Sequence, residues 1–145
     1  MIRIILTHIA KPAIFLVIGL LAVLPARAGE PLTPAQTVIE SQIEAFLTND
    51  MAKAYSYAAP DIKTLFPTEE KFGEMVRNGY GPVYRPGNYA FGRARETAGG
   101  GVVQEVLISG PKNTDWTAIY IMERQSDGSM KIRGVSMMKS ETSGI

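Results

Sequence analysis

Between residues 33 and 79 the apolar positions recur every three or four residues, and from residue 89 to 138 they recur every second residue. The first spacing belongs to helices with one buried face, the second to strands with one buried face. Thr33-Pro34-Ala35-Gln36 predicts a helix start, with Thr33 as N-cap, Pro34 in the first helical position and Gln36 closing a capping box. Ile39, Ile43, Phe46 and Leu47 then form its apolar stripe, while Glu40, Gln42 and Glu44 are expected on other faces. Asn49-Asp50 predicts a break and a second cap. Met51, Ala54, Tyr55 and Ala58 continue the helical spacing up to Pro60, which is expected to end that helix. A helical turn through Ile62, Leu65 and Phe66 precedes a third stripe of Phe72, Met75 and Val76, closed near Asn78-Gly79.

The pattern changes after Gly79. Residues 80–86 (YGPVYRP) hold too much Gly and Pro for a helix, and four strands are predicted beyond them: 89–96, 102–109, 116–125 and 130–138. Gly99-Gly100-Gly101 turns the first pair, Gly110 to Asn113 links the second to the third, and Asp127-Gly128 is a strong hairpin signal. Helices followed by an antiparallel meander predict an α+β fold, with the N-terminal helices packed on one face of a curved four-stranded sheet.

The N-terminal stretch has a different character. Arg3, His8 and Lys11 precede an apolar run from Ala13 to Leu24, and Ala26-Arg27-Ala28 follows. A basic start, a short apolar segment and a small-x-small site predict a signal peptide cut between Ala28 and Gly29. The apolar run would span roughly 18 Å as a helix, against a hydrocarbon core of about 30 Å. Residues 29–145 are then expected to form one exported domain, periplasmic or secreted, touching a membrane only if the leader is retained.

Composition narrows the chemistry. The chain has 145 residues, no cysteine, and one histidine, His8, inside the expected leader. The expected domain therefore has no means of building a Ser-His-Asp triad, a Cys-His pair or a Cys/His zinc site. Of fifteen basic residues the leader takes Arg3, Lys11 and Arg27, which leaves twelve against fourteen acids. A net charge of −2 gives nucleic acid no basic surface to recognise. No catalytic set, no metal site and no cofactor follows from the sequence; Glu70 and Glu74, one turn apart on a helix, are expected on a solvated face.

The segment 78–92 (NGYGPVYRPGNYAFG) is the best candidate for binding. It brings together Tyr80, Tyr84, Tyr89 and Phe91 with Arg85, and Trp116 is a further candidate platform. Tyrosine offers a flat apolar face with a polar tip, and the Arg85 guanidinium suits a carboxylate or phosphate. Asp61, Glu105, Asp115 and Glu123 are the acids that an enzyme would have to turn inward as a general base.

The ordered blocks QIEAF (42–46), YAAP (57–60), FGEMVRNGY (72–80), PVYRP (82–86), VQEV (103–106) and MERQSDGSMKIRG (122–134) resemble the secreted bacterial family of unknown function numbered 4864. The resemblance runs from about Thr33 to about Met138. It departs at Met130, where such proteins often carry Trp. The order of elements is also similar to the nuclear transport factor 2-like (cystatin-like) superfamily, which implies a bent sheet wrapped on a long helix around a cone-shaped pocket. Neither resemblance supplies catalytic residues, and that superfamily serves many functions. The expectation is a non-catalytic module that binds a small apolar ligand or an envelope protein. One alternative is a homodimer joined through an apolar sheet patch of Ile119, Ile121, Val135 and Met137; another is an isomerase- or cyclase-type enzyme using a carboxylate and a tyrosine.

Overall fold

The computed structural model describes residues 32–110 and 114–140. The expected leader, its cut between Ala28 and Gly29, residues 111–113 of the loop and residues 141–145 lie outside the described residues. Five helices come first: α1 (Pro34–Leu47), α2 (Met51–Ser56), α3 (Pro60–Leu65), α4 (Glu69–Gly79) and α5 (Gly81–Tyr84). Strands β1 (Tyr89–Glu96), β2 (Val102–Ser109), β3 (Asp115–Arg124) and β4 (Met130–Lys139) follow as an antiparallel meander in the order β1-β2-β3-β4. The fold is α+β, as the two periodicities predict.

The local signals act where they stand. The Thr33 hydroxyl accepts from the Gln36 amide at 3.3 Å, and the Gln36 side chain accepts from Thr33 N–H at 3.0 Å, so α1 opens on a complete capping box. Asp50 caps α2 by accepting from Lys53 N–H at 3.0 Å. At the β3–β4 turn Gly128 takes φ +85°, a left-handed conformation that glycine adopts without Cβ strain, and its N–H closes on the Gln125 carbonyl at 2.9 Å.

Three expectations are corrected. Pro60 does not end α2, which stops at Ser56; it opens α3 in the first helical position. The chain leaves the helix at Tyr57 and bridges to β4 at Ala58 instead: Ile132 N–H donates to the Tyr57 carbonyl and Ala59 N–H to the Ile132 carbonyl, both at 2.8 Å. That pairing satisfies backbone on part of an otherwise open sheet edge. Residues 81–84 form one helical turn despite their composition, because Pro82 sits in the first turn, where a missing N–H costs nothing. Gln42 is buried, because it lies three residues after Ile39 and four before Phe46 and so shares their face.

The core lies between α1 and one face of the sheet. Ile39, Ile43 and Phe46 meet Val106 and Ile108 of β2, Ala118, Tyr120 and Met122 of β3, and Met130 and Ile132 of β4. Each large apolar side chain buried there contributes roughly 1.5–3 kcal/mol, and with no cysteine this packing carries the fold. Met130 is buried, so the position where Trp was anticipated is a core position. Two bulges bend the sheet: one between Phe91 and Ala94 of β1, one opposite Ile121 and Met122 in β4.

The register also divides the apolar patch expected of a dimer. Val135 lies opposite buried Tyr120 and Met137 opposite buried Ala118, so both pack on the core. Ile119 and Ile121 project from the other face.

Candidate functional site

Pro60 opens α3, and Thr68 caps α4 by accepting from Lys71 N–H at 3.3 Å. The Tyr80 carbonyl accepts from Val83 and Tyr84 N–H at 2.9 Å each, which tightens α5 against the end of α4. The Tyr55 hydroxyl donates to the Phe66 carbonyl at 2.6 Å and ties the end of α3 to α2. Held in this way, the short helices do not close fully on the sheet. They leave a cavity of about 260 Å³ bounded by Phe46 and Gln42 of α1, by α3 and α4, and by Ile132 and Val135 of β4.

The wall is apolar. Phe72, Met75 and Val76, the third stripe of the sequence, line it beside Ile62, Phe66 and Val83. Leu65, 70 % exposed, also lines it. Among the described residues, two of the lining have polar side chains, Gln42 and Tyr80, and no Asp, Glu, Lys, Arg or His lines it. The Gln42 amide donates to the Ala54 carbonyl at 3.1 Å. Such a wall can desolvate and hold an apolar molecule, and it offers no group for proton transfer at neutral pH.

Residues 32–145 match the model of a family described as a domain of unknown function, DUF4864. The chain belongs to that family. No curated protein and no solved structure matches it.

The six candidate residues do not form one site. Tyr80 lines the cavity. Tyr84 packs edge-on against Phe46, with ring centroids 5.7 Å apart, and the Arg85 guanidinium stacks 4.3 Å from the Tyr84 ring. Arg85 also donates to the Phe46 carbonyl and to Asn49 Oδ1. Tyr89 and Phe91 meet edge to face at 6.2 Å on β1. Tyr89 and Trp116 share a shallow depression, and Trp116 and Arg85 share another. Partial burial, with Glu40 and Glu44 nearby, raises the Tyr89 pKa.

The four acids considered for a general base lie elsewhere. Asp61 is exposed and faces Arg133 at 3.8 Å. Glu105 accepts from the Arg93 guanidinium at 3.0 Å and from Arg93 N–H at 3.2 Å, which holds its pKa below the usual range. Asp115 is exposed at the start of β3, and Glu123 accepts from the Gln125 amide at 3.3 Å.

Most of the cavity wall was expected as plain core. The legible signal was Gln42, a polar residue whose spacing from Ile39 and Phe46 placed it on a buried face.

Proposed function

We propose that this protein is an exported, non-catalytic module that binds a small apolar ligand between its short helices and β4. The observation that carries the reading is the cavity of about 260 Å³, partly open and apolar over nearly its whole lining. An apolar cavity of about 150 Å³ accepts benzene, so this one has room for roughly ten non-hydrogen atoms. Pockets for drug-sized ligands begin at about 300 Å³, which sets the ligand class at small molecules. The absence of any carboxylate from the wall favours binding over an isomerase- or cyclase-type reaction. The α+β arrangement, bent by two bulges, is compatible with a nuclear transport factor 2-like ancestry.

Native mass spectrometry of the protein released gently from the periplasm of cells expressing the full chain tests this reading. The expected result is a mass that begins at Gly29 and carries a small-molecule adduct. A bare mass, together with no thermal stabilisation by 1-octanol, would overturn it.

A second reading, self-association, has its own observation. Ala90, Leu107, Thr117 and Met138 are partners in register and form a row across all four strands on the face turned away from the helices. Leu107 is 48 % exposed, Met138 53 % and nearby Ile121 41 %. Exposed large apolar side chains gathered on one sheet face suit an interface. Sedimentation velocity across a hundredfold concentration range is expected to show a dimer that Leu107→Glu abolishes. A concentration-independent monomer removes this reading.

A further inference from the structure

We infer that the cavity selects an uncharged ligand bearing one hydrogen-bond donor, which it recognises through the Gln42 side-chain oxygen. The inference rests on the ligand-binding reading above and specifies the chemistry of that ligand.

Gln42 is 3 % exposed and its Nε2 donates to the Ala54 carbonyl at 3.1 Å. A carbonyl only accepts, so this bond fixes which end of the amide is nitrogen. Oε1 is then the remaining polar atom of a side chain on the cavity wall; no hydrogen bond among the described residues reaches it, and unlike the Tyr120 hydroxyl it is not sealed from solvent. A ligand that shields this acceptor from water leaves it unpaired unless it directs an N–H or O–H at it, and that difference selects a donor. Gln104, the other buried glutamine, shows the contrast: its oxygen accepts from Gln36 and its nitrogen donates to three carbonyls.

The wall also decides the charge. With no Arg, Lys or His lining it, a carboxylate would lose its hydration and find no counter-ion. Arg85, the cation that the sequence offers nearby, is spent on the Phe46 carbonyl, Asn49 and the Tyr84 ring. An acid would enter only after taking up a proton. The second polar group, the Tyr80 hydroxyl, is half-buried and can serve a polar end of the ligand without requiring charge.

The matching molecules are compact alcohols, phenols or N–H heterocycles. Calorimetric titration of the protein purified from cells expressing the full chain tests this with two ligand pairs. Indole and benzofuran have nearly the same shape, and only indole donates; 1-octanol and octanoate differ in charge at pH 7. Indole is expected to bind about tenfold more tightly than benzofuran, and 1-octanol at least tenfold more tightly than octanoate. Gln42→Met, which keeps length and apolar bulk, is expected to bring indole and benzofuran within about twofold. If that variant does not fold, the wild-type pairs decide alone. Equal binding of indole and benzofuran, or octanoate binding as well as 1-octanol, overturns the inference and leaves the cavity as a general apolar site. Failure of all four to bind overturns both it and the ligand-binding reading.

Discussion

The Arg85 guanidinium donates to the Phe46 carbonyl, so a residue at the end of α5 caps the last turn of α1. It also donates to Asn49, which holds a left-handed φ of +59°, and it lies over the Tyr84 ring. The Phe46 carbonyl already accepts from Asn49 N–H at 3.1 Å, and the guanidinium adds a charge-assisted second bond at the negative end of the helix dipole. Arg85→Ala is expected to cost about 1–2 kcal/mol in urea unfolding. Arg85→Lys is expected to recover only part of that, because an ammonium lacks the planar fork. A loss below about 0.3 kcal/mol for Arg85→Ala would show that the cap is idle.

Tyr120 is fully buried, and its hydroxyl has no partner among the described residues. Removing an unpaired buried hydroxyl removes its desolvation cost, so Tyr120→Phe is expected to leave stability unchanged or raise it by up to about 1 kcal/mol.

The same burial raises the Tyr120 pKa well above its ordinary value of 10.0. The neutral phenol is therefore favoured in the folded state, and its contribution is intact below about pH 10. Above that the unfolded chain ionises first, and stability falls by up to about 1.4 kcal/mol per pH unit until the folded phenol titrates. Unfolding free energies at pH 9 and 11 are expected to differ less in Tyr120→Phe than in the parent. An identical alkaline slope in both proteins would contradict this.

Gln104 joins three elements. Its Nε2 donates to the carbonyls of Gly92 and Arg93 in the β1 bulge, at 3.1 and 3.3 Å, and its Oε1 accepts from the capping residue Gln36 at 3.3 Å. Gly92 leaves the space that Glu105 occupies: a Cβ there would lie 3.1 Å from the Glu105 side chain. Gln104→Leu keeps the volume but leaves the bulge carbonyls without that donor. The expected loss is about 2–3 kcal/mol, with faster amide exchange in β1. An effect confined to the α1 cap would show that the bulge is held by other contacts.

Two carboxylates set the acid limb, the exposed Asp127 and the half-buried Glu105. Asp127 accepts from the Ser129 hydroxyl at 2.6 Å and from its N–H at 2.9 Å, and these bonds lower its pKa; Arg93 lowers that of Glu105. Both contributions are present above the unfolded carboxyl range near pH 4 and are lost as pH falls through the lowered folded values. NMR titration is expected to find both midpoints below the ordinary carboxyl range. Asp127→Asn is expected to flatten the acid unfolding curve.

Filling the cavity separates folding from binding. Val135, half-buried on β4, lines the cavity from the sheet side. Val135→Phe is expected to change stability by less than about 1.5 kcal/mol, since the added ring enters space already present, and to weaken 1-octanol binding at least tenfold. Undiminished binding would place the ligand elsewhere.

Helix caps, the glycine turn and the two periodicities are local, and they were legible. Thr33, Asp50 and Gly128 act on neighbours a few residues away, so their roles follow from the chain itself. Pro60 and Gln42 were misread, for different reasons. Pro60 opens a helix because Tyr57–Ala59 pairs with Ile132, more than seventy residues on, and no local rule carries that partner. Gln42 was assigned by polarity, whereas its spacing placed it on the buried face.

By itself the sequence determined that helices precede a four-stranded antiparallel meander, the capped start of α1, the Asp-Gly hairpin and the lack of thiol and imidazole chemistry in residues 29–145. Those follow from backbone preferences and from side-chain inventory, which need no partner in space. The tertiary structure alone decided that Tyr80 lines the cavity while Arg85 stacks on Tyr84 and Tyr89 meets Phe91, that Val135 and Met137 face inward while Ile119 and Ile121 face outward, and that the short helices leave a cavity over β4. Each depends on strand register and on how five short helices meet one bent sheet. Such distances are summed over the whole chain and are written in no single segment of it.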